Sequence, residues 1–474
     1  MRTATLDTEA LRSGATPTRR QMAWIVLALS TPAILAELST TLMQYIDAAM
    51  VGSLGAHATA SIGLVESTIW LLDGLASCAA AGFTVQVAQL VGAGRDHDAR
   101  NVFRQAIVVC LIFGLLLAAG GSTVAGALPA WLGGDPELYA DASAYFLTCT
   151  IALIPLTMAR LGTGMLQCSG DMRTPSVINV LSCILNVTFN ALFIHEGPVL
   201  QIGGLSLPVA GMGLGIQGAA LGTLLAQVVT AIMLLGFAAF KSERLALHGH
   251  GVWVPQESTL RPAWTVSWPM FLERIVLSSA YVACTAIVAP LGVTAVAANS
   301  LAITVEAVCY MPGVGIEAAA TTLVGQSIGA HRRDVARSFA RLSTVLGMLV
   351  MSFMGALMFV FAPQILAMLT PDEAVQALGV QVLRIEAFAE PLFAASMVVA
   401  GALRGAGDTL VPSIISLVSM WGVRITLMTY VAPRWGLVGV WCAMAFELCV
   451  RGALFLVRLL RDKWLDRAEG RVLA

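Results

Sequence analysis

Runs of 20 or more mostly apolar residues recur along the whole chain, and nothing else in it constrains the fold as strongly. The hydrocarbon core of a bilayer is about 30 Å thick, which a helix of about 20 residues crosses. Lipid offers no hydrogen bonds to bare backbone, so a spanning segment must be a helix or part of a closed barrel. Twelve such segments are read near 22–50, 58–90, 101–127, 139–163, 174–195, 214–240, 264–289, 294–326, 337–362, 377–402, 411–432 and 437–460. Several exceed the needed length, which predicts tilt or extension beyond the membrane. Charged residues make up 12% of the chain, against about a quarter in soluble domains, and the mean hydropathy is +0.82. The expected class is an all-α membrane protein.

The distribution of charge predicts orientation. Of 27 Lys and Arg, 22 fall in the two tails and in the connections from even to odd helices, span ends included. Only Arg434 falls in a loop of the opposite side, and Arg274, Arg384, Arg424 and Arg451 sit within or at the ends of spans. The positive-inside rule then places both termini in the cytoplasm. The first span, preceded by Arg19 and Arg20, is too long for a signal-peptide core and is read as a retained helix. Residues before Arg20 are polar and are expected to form a disordered tail. The net charge of −1 and the lack of a basic stripe give no case for nucleic acid. Nine scattered cysteines show neither CxxC nor zinc spacing, so no disulfide framework, metal site or cofactor is expected. Walker and Rossmann patterns are missing as well.

The chain repeats itself. At an offset of 237, Pro32 falls on Pro269, and Gln89, Gly92, Ala93 and Arg95 fall on Gln326, Gly329, Ala330 and Arg332. The run from Leu166 to Ser176 falls on that from Leu403 to Ser413. An insertion of 16 near 195–212 then drops the offset to 221, where Gly215 and Gly218 meet Gly436 and Gly439. Six helices per copy make the copies parallel repeats about an axis along the membrane normal. The expected organisation is a tail at 1–21, a first lobe at 22–240, a cytoplasmic linker at 241–263, a second lobe at 264–460 and a tail at 461–474.

Several motifs resemble a known family. The run PAILAELSTTLMQYIDAAMVGSLG from Pro32 to Gly55, the LRGAGDT motif from Leu403, its partner LQCSGD from Leu166 and the QSIGA run from Gln326 are similar to those of bacterial multidrug and toxic compound extrusion (MATE) transporters, NorM- and DinF-like. The resemblance covers about residues 20 to 460. It implies two six-helix lobes around a central V-shaped cavity, and export of cationic amphipathic compounds driven by Na+ or H+ entry.

Ionisable side chains inside the membrane cost at least about 2.5 kcal/mol on insertion scales, so each is a functional candidate. Asp47 lies toward the outer end of helix 1, and its repeat counterpart is Cys284, so the fold does not demand an acid there. Asn186 and Asn190, four apart on helix 5, share a face, and their counterparts are Val423 and Leu427. A polar cluster present in one lobe alone reads as a site; the competing reading is interhelical packing by hydrogen bonds. The resemblance matches these asparagines, and Thr223 of the GAALGT run, to the family's first-lobe cation or proton site. Oxygen ligands suit Na+ at Asp47, Asn186 and Asn190, whereas an aspartate alone can carry a proton.

In the second lobe, Glu273 matches the helix 7 glutamate of NorM-like members. The helix 10 aspartate of those members falls on Phe393 here, with Glu390 three residues earlier and Glu386 a turn before that. Glu273, Glu390 and Glu386 are therefore candidates for second-lobe coupling, and salt bridges to Arg384 or Arg424 are the competing reading for the latter two. Glu66, Asp73 and Glu306 are candidates for a polar cavity lining, Glu66 and Asp73 sharing one face of helix 2. Glu447 and Arg451, at i,i+4, read as a structural ion pair.

The expected function is secondary antiport of small organic cations by alternating access, in the bacterial inner membrane, by a monomer in contact with lipid. A flippase of lipid-linked saccharides is the alternative. With the charges at the cytoplasmic and outer span ends counted with the loops, as above, acids outnumber bases ten to four in the spans, which favours cationic cargo. No HExxH, GxSxG or paired His–Asp supports an intramembrane enzyme.

Overall fold

The computed structural model describes residues 11–194, 199–202, 205–208 and 211–466. Its first half contains α1 (Arg19–Gly52), α2 (Ala56–Ala93), α3 (Asp96–Val124), α4 (Tyr139–Cys168), α5 (Arg173–Ile194) and α6 (Gly215–Gly236). The second half contains α7 (Glu257–Val288), α8 (Val293–Gly329), α9 (Arg333–Leu369), α10 (Glu373–Glu386), α11 (Glu390–Gly405), α12 (Leu410–Val418) and α13 (Thr426–Leu460). Among the described residues, ten helical stretches are long and apolar enough to cross a membrane.

Twelve spans fit within these elements. The Leu410–Leu460 stretch of 51 residues holds two of them, because Gly436 (φ 57°, ψ −142°) interrupts α13 just after Pro433. The remaining span is split: α10 and α11, at 14 and 16 residues, each fall short of a full crossing. One continuous helix over 377–402 was the expectation, and the break at 387–389 corrects it. Pro391 marks the break, since proline fits the first turn of a helix and has no N–H with which to continue the preceding helix to the Ala387 carbonyl.

The inserted segment of the first half contains a two-stranded antiparallel hairpin, β1 (Val199–Ile202) and β2 (Leu205–Pro208), pairing Val199 with Pro208 and Ile202 with Leu205. Helix lengths exceed the bilayer: α2 has 38 residues, roughly 57 Å at 1.5 Å per residue.

The chain divides into two compact units, one of Met1–Glu37, Ala88–Arg95 and Trp264–Ala474, the other of Leu38–Val87 and Asp96–Ala263. Within the first unit, the repeated motif packs against its own copy. A Cβ on Gly92 would strike the Gln326 backbone carbonyl, and a Cβ on Gly329 would strike that of Gln89. The contact is reciprocal, as in an isologous interface, and only a missing side chain lets the two backbones approach this closely. The same unit contains a core in which Val288, Ala298, Ala362, Val382 and Trp441 bring α7 to α10 together with α13.

Part of the N-terminal segment is ordered, contrary to expectation. Leu11 is buried, and the Arg332 guanidinium donates to the carbonyls of Leu11 and Ala15, each at 3.0 Å. In the other unit the segment after α6 is pinned along α3. Buried Arg104 donates to the Gly249 carbonyl at 3.2 Å, and Gln105 Oε1 accepts from Gln256 N at 2.9 Å.

Candidate functional site

The outer end of α1 is held by a small apolar cluster in which Met50 and Val51 pack with Ala58 of α2, Ala191 and Ile194 of α5, and Ala219 of α6. This packing brings Asp47, one turn before Val51, against the polar face of α5. Asn190 Nδ2 donates to Asp47 Oδ1 at 2.8 Å. Asn186 and Asn190 are both 1% exposed, while Asp47 is only half-buried. Space for Asn190 comes from α6, where a Cβ on Gly222 would overlap the asparagine's side-chain oxygen.

The Asn186 amide can complete the site in two orientations. In one, its nitrogen donates to Thr223 Oγ1 at 3.1 Å and its oxygen accepts from Asn190 Nδ2 at 3.2 Å. In the other, its nitrogen donates to both Asp47 oxygens, at 2.8 and 3.0 Å, and lies 3.2 Å from Asn190 Nδ2, a second donor, while its oxygen accepts from the Thr223 hydroxyl at 3.1 Å. The second orientation satisfies an ionised carboxylate with amide donors alone. The first sets an amide oxygen against the carboxyl, which is favourable only with a proton or a cation shared between them. Asp47, Asn186, Asn190 and Thr223 are thus brought together from three helices, and the buried Asn190 Oδ1 has no hydrogen-bond partner. One carboxylate surrounded by neutral oxygens provides a single negative charge, the match for a proton or a monovalent hard cation. Among the described residues, no group of three or more His, Cys, Asp or Glu could hold a metal ion.

Among the described residues the second copy has no such arrangement. Cys284, the counterpart of Asp47, directs its thiol to Met428 Sδ at 3.7 Å. The candidate acids of that half fall into two groups. Glu273 is buried and accepts from Ser413 Oγ at 2.7 Å, with Arg404 Nη2 at 3.8 Å. Arg404 also bonds Glu317 at 2.7 Å. Glu386 and Glu390 are fully buried; Glu386 faces Glu306 and Arg424, and Glu390 faces Glu306 and the Cys309 thiol. Arg384 turns away from them to the Phe359 carbonyl and ring. The i,i+4 pair of Glu447 and Arg451 forms at 3.2 Å, and Arg424 joins it at 2.8 Å from Glu447.

Asp73 and Glu66 do not share an environment. Asp73 is bound by Arg160 of α4 at 3.1 Å, whereas Glu66 is exposed. Arg160 and Arg404 were counted with the loops in the sequence reading, yet both lie in helices with acid partners, so the excess of acids within the spans is smaller than that count. Their partners were not readable from the sequence, because which acid each arginine meets depends on which helices are neighbours. Gly222 was missed because only the structure shows which residue needs its space.

Comparison with known proteins agrees with this architecture. The MatE family model matches residues 32–192 and 269–430, one segment in each copy of the repeat. A probable multidrug resistance protein NorM of Thermotoga maritima is 26% identical over 448 residues, covering 94% of this chain and 93% of that protein. The multidrug resistance protein PmpM of Pseudomonas aeruginosa is 25% identical, covering 92% and 91% respectively. A solved outward-facing structure of a multidrug resistance MATE family transporter of the MOP superfamily superposes with a TM-score of 0.87 at 20% identity, covering 98% of this chain and 99% of that one. With both copies of the repeat matched and twelve spans in place, the chain belongs to the MatE family of multidrug and toxic compound extrusion transporters.

Proposed function

We propose that the protein is a multidrug efflux antiporter that exports cationic amphipathic compounds in exchange for H+ or Na+. The observation that carries this reading is the meeting of Asp47 with the Asn186 and Asn190 amides, a buried-amide site in one copy of the repeat with no counterpart among the described residues of the other. A duplicated scaffold needs no such asymmetry for packing, so the site reads as function. The names of the NorM and PmpM relatives support multidrug cargo.

Coupling follows from differential affinity, since an ion drives a conformational change only by binding one state more tightly than the other. A proton or Na+ entering at Asp47 removes the need for amide donors on the carboxylate and lets the Asn186 amide turn. The contacts of α1 with α5 and α6 then change, the drug site loses affinity, and the cation leaves outward. In this reading both termini face the cytoplasm, the protein lies in the inner membrane, and a single chain suffices.

Expression of the full chain in a drug-sensitive bacterial host tests this. Asp47→Asn is expected to abolish resistance to ethidium with membrane abundance unchanged, while wild-type resistance in that variant would reject Asp47 as the coupling group.

A further inference from the structure

The chain ahead of α1 is polar in composition, yet Leu11 within it is 2% exposed. Two arginines tie this segment down from opposite directions. Arg332, in the turn between α8 and α9, donates through Nη1 to the Leu11 and Ala15 carbonyls, each at 3.0 Å, and its Nη2 reaches Thr16 Oγ1 at 3.5 Å. Asp334 holds the same guanidinium, at 3.0 Å from Nε and 2.8 Å from Nη2, and so fixes the direction of the remaining nitrogen. Arg12 of the segment itself donates to the Ala93 carbonyl at the end of α2, at 3.4 Å, and lies where a Cβ on Gly94 would stand.

Ala93-Gly94-Arg95 and Ala330-His331-Arg332 are equivalent turns of the two copies, both left-handed, with φ of 72° at Gly94 and 58° at His331. They directly follow the reciprocal contact of Gly92 with Gln326 and of Gly329 with Gln89. Beside it, Gln89 Nε2 of the first copy donates to the Gly405 carbonyl of the second at 2.9 Å. One short segment thus bonds to both turns, across the place where the copies meet, and all of these residues lie within one compact unit. The equivalent segment before α7 is held differently: its His248 carbonyl, the counterpart of that of Leu11, accepts from Arg104 of α3, within the first copy. The N-terminal segment also runs into α1 without slack. Pro17 follows it, and Thr18 and Gln21 form a reciprocal cap, Thr18 N donating to Gln21 Oε1 at 2.8 Å and Gln21 N to Thr18 Oγ1 at 3.3 Å. Movement of the segment is passed to the helix that contains Asp47.

We propose that Leu11–Thr16 is a strap that holds the two copies of the repeat together at this end of the molecule, and that it must leave Arg332 before the end opens. This inference rests on the alternating access of the reading above, which requires the contact between the copies to part in one of the two states. Release of the strap and separation of Gly92 from Gln326 are then one event. Its equilibrium is set in part by the bonds of Arg332 to the Leu11 and Ala15 carbonyls.

Hydrogen–deuterium exchange of the full-length protein in lipid nanodiscs, read by mass spectrometry, tests the strap without requiring transport. Arg332→Ala removes the bonds to the strap, and Leu11→Asp expels the strap with Arg332 left in place, since a charge is costly to bury. The deciding stretches are Thr321–Gly325 and Gly401–Gly405. They border the contact between the copies, through Gly325 against Ala88 and through the Gly405 carbonyl with Gln89. Hydrogen bonds to a charged donor are strong enough that both variants are expected to speed exchange there by roughly tenfold or more. Wild-type exchange in both stretches in the two variants overturns the strap, even where exchange rises within Leu11–Thr16 itself, because that pattern is local fraying. Ethidium resistance of Asp47→Asn judges the coupling reading separately, so failure of either leaves the other recognisable.

Discussion

Gly222 of α6 stands where any side chain would displace the Asn190 oxygen, so the glycine sets the position from which Asn190 donates to Asp47. Adding a methyl group to a packed interior costs about 1–3 kcal/mol, and here the strain falls on a functional hydrogen bond. Gly222→Ala is therefore expected to cut ethidium efflux severely while the protein still reaches the membrane. Efflux assays normalised to membrane abundance check this, and normal efflux would show that Asn190 needs no such placement.

Asn190→Ala removes a donor to the Asp47 carboxyl. Hydrogen bonds to charged groups contribute about 1.5–3 kcal/mol, so roughly a tenfold or larger change is expected in the equilibrium between loaded and unloaded states. Efflux by this variant is expected to fall between that of wild type and Asp47→Asn. Asn190→Asp, which adds a second negative charge at the same place, is expected to be worse than Asn190→Ala in the same assay.

Arg404 holds Glu317 at 2.7 Å and lies 3.8 Å from Glu273. Removing one partner of a fully buried ion pair costs about 3–5 kcal/mol; this pair is only partly buried, so a smaller loss is expected. Arg404→Ala is expected to lower thermal stability in detergent, and Arg404→Ala combined with Glu317→Gln is expected to recover part of the loss. Fluorescence-detected size exclusion after heating reads both outcomes.

Because Gly92 and Gly329 each face a backbone carbonyl of the other copy's motif, their substitutions should be equivalent. Gly92→Ala and Gly329→Ala are each expected to reduce folded yield to a similar degree. A large effect of one with tolerance of the other would contradict the reciprocal contact.

Legibility from sequence varied with the range of the interaction concerned. Apolar length and the repeat offset located the spans, because bilayer thickness imposes a length that local composition reveals. The offset also identified Gln89 and Gln326, Gly92 and Gly329 as partners in alignment, and the structure shows the same residues in physical contact. Asp47 and the α5 asparagines were legible because a polar residue in an apolar span is expensive and its counterpart in the repeat is a ready control. Pairings across helices were not legible: Arg160 with Asp73, and Arg404 with Glu317, depend on which helices are neighbours and on where a long side chain ends. Hydropathy also read 377–402 as one helix, since an apolar average conceals a break of three residues, although Pro391 marked its place. The polar N-terminal segment was read as disordered because composition does not reveal that Arg332 binds its carbonyls.

The most direct measurement uses proteoliposomes containing wild-type or Asp47→Asn protein, with ethidium transport followed while a Na+ gradient and a pH gradient are imposed separately. If the carboxyl on α1 and the two α5 amides form the coupling site, one of the gradients drives ethidium movement in wild type, and neither does so in Asp47→Asn. Gradient-driven transport at the wild-type rate by Asp47→Asn would contradict it.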